Sequence, residues 1–161
     1  MIRHLTLVLG GARSGKSAYA QHMAEQHTGS VLFTATATPG DDEMAERIAA
    51  HQASRPSHWR TLESPLHVGQ AIQQIAPPPT LVVLDCLTLL ANNVLFSLPD
   101  PVDGGAYQAA MDVEIEDLLD AYHHGQAEWW VVSDAVGLGL VPEYPLGRLC
   151  RDVLGRANQQ L

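Results

Sequence analysis

Residues 7–17 read LVLGGARSGKS, and this stretch contains Lys16, the only lysine in the chain. It matches the pattern Gly-x-x-x-x-Gly-Lys-Ser/Thr over residues 10–17. A predicted apolar strand, residues 4–9, precedes the glycines, and a predicted helix, residues 16–27, follows them, which is the context of a phosphate-binding loop. Lysine is a compact charge on a thin stem, so it fits where backbone wraps around phosphate better than the planar fork of arginine. The stretch therefore predicts a phosphate cradle.

Each part of this cradle has an expected role. Glycines let successive backbone N–H groups turn towards phosphate oxygens, and the helix N-terminus adds positive potential. Lys16 is expected to reach the β- and γ-phosphates, and the Ser17 hydroxyl to bind Mg²⁺. The predicted phosphate-binding residues are Gly10, Gly11, Ala12, Arg13, Ser14, Gly15, Lys16 and Ser17. The alternative is a glycine-rich tight turn that binds no ligand.

A carboxylate that could complete this site ends the apolar segment LVVLD, residues 81–85. An acidic residue at the end of a neighbouring strand holds Mg²⁺ in nucleoside triphosphate sites, directly or through water. We therefore predict a metal-binding role for Asp85 together with Ser17. The alternative is a helix cap, for which aspartate is well suited.

The order of predicted elements indicates the fold. Strands and helices alternate, which favours an α/β P-loop nucleotide-binding domain with a mainly parallel sheet flanked by helices. We expect one domain over residues 1–161, in which a C-terminal strand is missing. The predicted strands cover 4–9, 31–37, 80–85 and 128–133, and the predicted helices cover 16–27, 41–52, 66–75, 87–95, 107–123 and the residues from 146 onwards.

Composition and charge exclude several classes of function. The formal charge of −9 argues against nucleic acid or an acidic membrane as the main partner. No apolar run approaches the length of a membrane span. Cys86 and Cys150 lie in apolar segments and are expected to be reduced, which favours a cytoplasmic protein.

The single lysine also narrows the class of nucleotide-binding protein. A regulatory GTPase normally recognises guanine with an Asn-Lys-x-Asp stretch, which cannot exist here because Lys16 already belongs to the cradle. An ATP-driven machine usually needs appended domains, for which this chain has no room. The class of nucleotide-binding protein that remains is a transferase that acts on a small molecule.

A second region, residues 41–61, is rich in charged residues and histidine and reads DDEMAERIAAHQASRPSHWRT. Glu43, Arg47 and His51 are four residues apart, so they share one face of the predicted helix. Met44 and Ile48 form an adjacent apolar stripe. The residues alone favour a solvated helix that a histidine caps near its C-terminus.

Four segments together carry a resemblance to a known family. These are the cradle, DDEMAERI at 41–48, His51 followed by RPSHWRTLE at 55–63, and the loop 136–143 that ends in VPE. The chain resembles the bifunctional adenosylcobinamide kinase / adenosylcobinamide-phosphate guanylyltransferase family of cobalamin synthesis. The resemblance implies two reactions: phosphorylation of adenosylcobinamide, then transfer of GMP from GTP to adenosylcobinamide phosphate through a guanylyl-histidine, which gives adenosylcobinamide-GDP.

The resemblance also implies a set of site residues and partners. The nucleophile falls on His51, which with Lys16 makes the expected catalytic pair. Beyond the cradle, the implied nucleotide contacts are Ala35, Thr36, Ala37, Gln52, Ala53, Ser54, Arg55, Glu63 and Asp85. The expected cofactor is Mg²⁺, the nucleotide substrates are GTP and ATP, and the partners are adenosylcobinamide and its phosphate. A homo-oligomer, such as a trimer, is implied as well.

Two positions depart from the family pattern. Ala50-His51 stands where some relatives have two adjacent histidines, which leaves His51 as the only candidate nucleophile. Asp134-Ala135 stands where relatives can show Asn-Glu, and if that glutamate serves the kinase step, this chain is expected to be impaired in it. The alternative functions are a kinase of another small alcohol, with a structural His51, and a nucleotide-sensing binding module without turnover.

Overall fold

The computed structural model describes residues 3–40 and 42–161, and it contains one sheet in which every paired strand is parallel. The strands are β1 (Leu5–Gly10), β2 (Val31–Ala35), β3 (Arg60–Glu63), β4 (Leu81–Asp85) and β5 (Glu128–Asp134). Their spatial order is β1-β5-β4-β2-β3. The helices are α1 (Lys16–Glu25), α2 (Asp42–Ala53), α3 (Val68–Gln73), α4 (Leu87–Ser97), α5 (Gly104–His124) and α6 (Pro145–Gln160), with a 3₁₀ turn at Val136–Leu138.

Both faces of the sheet are covered, which explains why the central strand β4 does not alternate between apolar and polar residues. Leu81, Val82, Val83 and Leu84 of this strand are all buried. Val82 and Leu84 pack on one face against a large cluster built from α3, α4, α5 and α6. Leu81 and Val83 pack on the other face with residues of α1. The predicted α/β fold with a parallel sheet flanked by helices is confirmed.

One strand of the sheet is not predicted by the sequence patterns. β3, which reads RTLE, falls in a predicted loop, but it pairs in parallel with β2 from Leu32↔Arg60 to Ala35↔Glu63. It is a short edge strand whose residues alternate between half-buried and exposed. Such a strand lacks the apolar run that reveals a buried strand, so its sequence does not distinguish it from a polar loop.

Several element ends also differ from the prediction. The strand predicted over 31–37 ends at Ala35, and the helix predicted over 66–75 spans only Val68–Gln73. The helix predicted from Tyr107 begins at Gly104, because the Asp103 side chain accepts a hydrogen bond from the Ala106 N–H at 2.7 Å and caps it. The predicted start of α2 at residue 41 lies outside the described residues.

The described helices fall short of what a lipid bilayer requires of a spanning helix. None of them combines the length and the apolar character that a membrane span needs.

Candidate active site

The loop between β1 and α1 has the backbone that a phosphate cradle requires. Gly15 has a φ of 88°, a left-handed conformation that favours glycine. A Cβ added at Gly10 would lie 2.5 Å from the Ser14 Oγ and 3.1 Å from the Lys16 Cγ, so a larger residue there would displace side chains of the cradle. No side chain caps the N-terminus of α1 among the described residues. Its first N–H groups are therefore available to an anion.

Lys16 is held at this cradle by two oxygen partners. Its Nζ donates to the Gly11 carbonyl at 2.7 Å and lies 2.6 Å from the Asp134 Oδ1. The Lys16 side chain is only 12% exposed, and that of Asp134 is 30% exposed. The predicted phosphate-binding lysine thus faces the carboxyl ends of β1 and β5, with a carboxylate as its counter-charge.

Asp85 lies at the carboxyl end of β4 and contacts the cradle. Burial raises the pKa of its carboxyl group, and a hydrogen bond with Ser17 opposes that rise. The electrostatic influence of His51, Arg55 and Lys16 opposes it as well. These interactions bring the predicted metal-binding pair together, and they bring both predicted catalytic residues near one carboxylate.

The pairing of Ser17 with Asp85 fits a magnesium ion chemically. A hydroxyl and a carboxylate are the hard oxygen ligands that Mg²⁺ prefers. The described residues contain no group of three or more His, Cys, Asp or Glu side chains that could form an all-protein metal site. Mg²⁺ does not need one, because it usually takes its other ligands from water and from substrate phosphates.

A cavity of about 350 Å³ opens between the sheet and α2. It joins the end of the cradle to one face of that helix. Its lining comprises Ser17, Phe33, Ala35, Ala37, Met44, Arg47, Ile48, His51, Arg55, Asp85 and Leu89. The polar and the apolar positions of α2 that the sequence singled out therefore border the same space, with the exception of Glu43.

Arg55 has an unusual environment for an arginine. Its guanidinium carbon lies 3.7 Å from the centre of the Phe33 ring. Its Nε and Nη1 are buried and have no hydrogen-bond partner in the part of the chain that the structure describes. Burial lowers the pKa of Arg55, and the negative charges of Asp85 and Glu63 oppose the shift. Unsatisfied buried donors are costly, so this edge of the guanidinium is suited to phosphate or nucleotide oxygens.

His51 lies in the last turn of α2 and is exposed. It borders the cavity that contains Asp85, and it also borders a second hollow of about 380 Å³ between α1 and α2. That second hollow is lined by Ala18, Gln21, His22, Glu25, His51 and Ser54. His51 therefore borders open space on two sides.

Hydrogen bonds tie the end of α2 to its surroundings. The Gln52 side chain donates to the Glu63 carboxylate at the end of β3. The Ser54 hydroxyl donates to the His51 carbonyl at 2.8 Å, and Gln21 of α1 donates to the Ser54 carbonyl at 3.1 Å. Gln52, Ala53, Ser54 and Glu63 do not line the cavity that contains Asp85.

The three predicted contacts after β2 divide into two kinds. Ala35 and Ala37 line the cavity. Thr36 is fully buried, and its hydroxyl donates to the Cys86 carbonyl at 2.8 Å and accepts from the Cys86 N–H at 3.0 Å. Thr36 thus anchors the backbone that follows Asp85.

Sequence reasoning did not assign three residues of this region. Asp134 was noted only as a departure from a pattern, and Phe33 and Leu89 were not considered. The position of Asp134 directly after an apolar strand is a signal that could have identified it, as it identified Asp85. Phe33 and Leu89 carry no such signal, because apolar residues of a strand and a helix normally belong to the core.

Comparisons with known proteins agree with this arrangement. The family model CobU, cobinamide kinase / cobinamide phosphate guanyltransferase, matches residues 6–161. The bifunctional adenosylcobalamin biosynthesis protein CobU of Escherichia coli strain K12 is 41% identical over 98% of this chain and 89% of its own length. The protein of the same name from Salmonella typhimurium shows the same identity and coverage. The bifunctional adenosylcobalamin biosynthesis protein CobP of Pseudomonas aeruginosa is 40% identical over 96% of this chain and 85% of its own length.

These matches cover the cradle, α2 and the strands that end in Asp85 and Asp134, and they confirm the resemblance that the sequence motifs carried. The chain belongs to the cobinamide kinase / cobinamide phosphate guanyltransferase family.

Proposed function

We propose that this chain phosphorylates adenosylcobinamide with a nucleoside triphosphate and then transfers GMP from GTP to adenosylcobinamide phosphate through a guanylyl group on His51. One observation carries the proposal: His51 and Arg55 border the same cavity as Ser17 and Asp85 at the end of the cradle. Neither a simple kinase nor a nucleotide sensor needs an accessible imidazole at that place. Family membership supports the same pair of reactions.

In the kinase step, the cradle binds the phosphates of the donor. The N–H groups at the start of α1 and the Lys16 ammonium neutralise the charge that spreads over the γ-phosphoryl oxygens in the transition state. Ser17 and Asp85 are the residues that would hold Mg²⁺, which supplies further neutralisation of phosphate charge when it is bound. The acceptor oxygen forms its bond to the γ-phosphorus while the bond to the leaving diphosphate breaks.

In the guanylyl transfer, a neutral imidazole nitrogen of His51 attacks the α-phosphorus of GTP. The bond to pyrophosphate breaks, and pyrophosphate leaves with the electron pair. Arg55, which lines the cavity and has two buried nitrogens without a hydrogen-bond partner among the described residues, is suited to stabilise charge on the phosphates during this step. A phosphate oxygen of adenosylcobinamide phosphate then attacks the guanylyl-histidine and releases the imidazole. Covalent catalysis divides one difficult transfer into two easier ones.

The proposal extends to the oligomeric state and the cellular compartment of the protein. We infer a homo-oligomer, such as a trimer, in the cytoplasm. The apolar side chains of Phe96, Leu140, Val141 and Tyr144 are between 62% and 97% exposed, which makes them candidates for contacts between subunits. Cys86 and Cys150 are free thiols, as a reducing compartment favours.

The test uses GTP labelled at the α-phosphate. The purified protein, Mg²⁺ and labelled GTP are mixed and denatured, and retained label is tested for the acid lability and alkali stability of a phosphoramidate. We expect labelling of the wild type and none of His51→Ala. His22→Ala is the matched control, because His22 borders the same second hollow as His51, and it should label normally.

Other results would favour the alternatives. Phosphorylation of a corrinoid or another alcohol without any protein labelling, and unaffected by His51→Ala, would indicate a kinase in which His51 is structural. Tight GTP binding without label and without phosphorylation of any acceptor would indicate a binding module.

A further inference from the structure

The tip of β5 occupies a central position at the carboxyl edge of the sheet. β5 lies between β1, which leads into the cradle, and β4, which ends at Asp85. In the sheet register Asp134 lies opposite Gly10, the first glycine of the cradle, and Asp85 lies opposite Val132. The strand order therefore brings the last residue of β5 to the phosphate site, although most of the chain separates it from Ser17 in sequence.

The Asp134 carboxylate reaches the terminal part of that site. Its Oδ1 lies 2.6 Å from the Lys16 Nζ. Because the lysine of such a cradle binds the β- and γ-phosphates, a carboxylate at this distance lies beside the γ-phosphoryl group when nucleotide is bound. Asp134 is 30% exposed, whereas Lys16 is 12% exposed, so the carboxylate is also open to an acceptor that arrives from solvent.

Hydrogen bonds from three elements fix the backbone at Asp134. The point from which its side chain extends is therefore well defined. Its N–H donates to the Thr88 Oγ1 of α4 at 3.0 Å. The next N–H, of Ala135, donates to the Gly10 carbonyl at 3.0 Å. The Asn158 side chain of α6 donates to the Asp134 carbonyl at 3.4 Å. Only the side-chain torsions remain free, and they allow the carboxylate to exchange Lys16 for another hydrogen-bond donor.

The two other carboxylates predicted for this site, Asp85 and Glu63, have hydrogen-bond partners other than Lys16. Asp85 is hydrogen-bonded to Ser17 in the proposed metal site, and Glu63 accepts from Gln52. Ala135, the residue after Asp134, has no polar side chain. Among the described acidic residues, Asp134 is the one that forms an ion pair with a cradle side chain.

We propose that Asp134 is the catalytic base of the kinase step, in which it orients the acceptor hydroxyl and takes its proton. When nucleotide phosphates bind Lys16, the Asp134 carboxylate accepts a hydrogen bond from the hydroxyl. The hydroxyl oxygen then forms its bond to the γ-phosphorus, the bond to the leaving diphosphate breaks, and the proton passes to the Asp134 oxygen and later to water. An aspartate has this role in protein kinases. The inference rests on the proposed kinase step and on no part of the guanylyl transfer.

This assignment reverses one expectation from the sequence. If the glutamate of relatives serves the kinase step, its replacement by Ala135 is expected to impair that step. If Asp134 supplies the carboxylate, the chain retains a base one position earlier, and its kinase activity does not depend on a side chain at 135.

The test compares the two reactions in the same variant. Phosphorylation of adenosylcobinamide by ATP labelled at the γ-phosphate, labelling by GTP at the α-phosphate, and the Kd for ATP are measured for wild type and Asp134→Asn. Asparagine keeps the shape of the side chain but cannot take a proton. We expect the kinase kcat to fall by about 10²- to 10⁴-fold, while protein labelling and the Kd change by less than about threefold. Asp120→Asn, which removes another aspartate carboxylate that contacts a basic side chain, is the control and should leave all three values unchanged.

A second variant separates chemistry from folding. In Asp134→Ala, added formate should restore part of the kinase rate in a saturable manner, because a small carboxylate can occupy the space that the side chain leaves. A structural role would not respond to formate. Thermal melting of both variants verifies that they are folded.

Three results would overturn the proposal. First, the kinase kcat of Asp134→Asn could lie within about threefold of the wild-type value. The variant could instead bind ATP more than about tenfold tighter and change both reactions in parallel, which would make Asp134 a counter-charge of Lys16 only. Formate could fail to rescue a folded, inactive Asp134→Ala. A wild type that labels with GTP but phosphorylates no corrinoid would refute the kinase half of the proposed function itself, which is a different and recognisable outcome.

Discussion

The two sides of the candidate active site are built in different ways. On one side, α1 follows the cradle and buries Ala20 and Ala24 completely against the sheet. On the other side, none of the twelve residues of α2 is buried, although this helix carries His51. The phosphate-binding side is thus part of the hydrophobic core. On the side with the nucleophile, the end of α2 is tied to its surroundings by the bonds of Gln52 to Glu63 and of Gln21 to the Ser54 carbonyl.

This difference has a consequence for function. A helix with little buried apolar surface opens at a lower free energy than one in the core, so its position depends more on what occupies the cavity beside it. The cradle, in contrast, is preorganised by the sheet. Nucleotide bound at the cradle can therefore order α2, and with it His51, over the phosphates.

The largest expected effect tests whether the cradle serves both reactions. Lys16→Ala should reduce both the phosphorylation of adenosylcobinamide and the labelling by GTP by about 10³-fold or more, since both need charge neutralisation at the phosphates. His51→Ala should abolish only the labelling. Rates of both reactions in both variants provide the measurement. If Lys16→Ala abolished phosphorylation but labelled normally, the guanylyl transfer would use a phosphate site other than the cradle.

A smaller effect is expected when an alanine is replaced by glycine, once in α1 and once in α2. Ala20→Gly in α1 removes a buried methyl group and lowers helix propensity, which should cost about 1–2 kcal/mol of global stability. Ala49→Gly, at an exposed position of α2, lowers the local helix propensity by a similar amount. It should cost less than about 0.5 kcal/mol globally, because α2 can open without the core.

Urea unfolding followed by tryptophan fluorescence measures both values. Hydrogen exchange gives a second readout, in which the α2 amides of the wild type should exchange faster than those of α1. Equal losses of global stability for Ala20→Gly and Ala49→Gly would show that the two helices unfold together and that the contrast between them is wrong.

Local sequence patterns predicted the parts of the molecule that depend on a few adjacent residues. The cradle follows from its spacing, the buried β4 from its apolar run, and the two-sided cover of the sheet from the alternation of elements. The four-residue β3 was missed because Arg60 and Glu63 at an edge resemble a loop.

Contacts that depend on strand order could not be predicted from the sequence either. The ion pair of Lys16 with Asp134 exists because β5 lies between β1 and β4. Alternation of strands and helices does not specify that order. The stacking of Arg55 on Phe33 likewise joins a loop to a strand that are distant in sequence, so no local spacing indicates it.

The smallest expected effect concerns the stability of the cradle side without its ligands. Burial raises the pKa of Asp85 even though Ser17, His51, Arg55 and Lys16 favour its charged form. The folded state therefore binds the proton of Asp85 more tightly than the unfolded state does. The free energy of unfolding falls as the pH rises from the unfolded pKa through the raised folded pKa, and it stays reduced at pH 7.

Asparagine cannot ionise, so Asp85→Asn should remove this cost. In EDTA, without nucleotide, we expect its Tm at pH 7 to exceed that of the wild type by about 2–4 °C, which corresponds to roughly 1 kcal/mol for a chain of this size. The difference should shrink as the pH falls towards about 4, near the ordinary pKa of an aspartate. With Mg²⁺ and GTP the order should reverse, because the wild type gains binding energy that Asp85→Asn has lost. A variant that melts below the wild type in EDTA at every pH would show that the bond with Ser17 and the surrounding cations outweigh desolvation, and that this carboxylate stabilises the empty cradle.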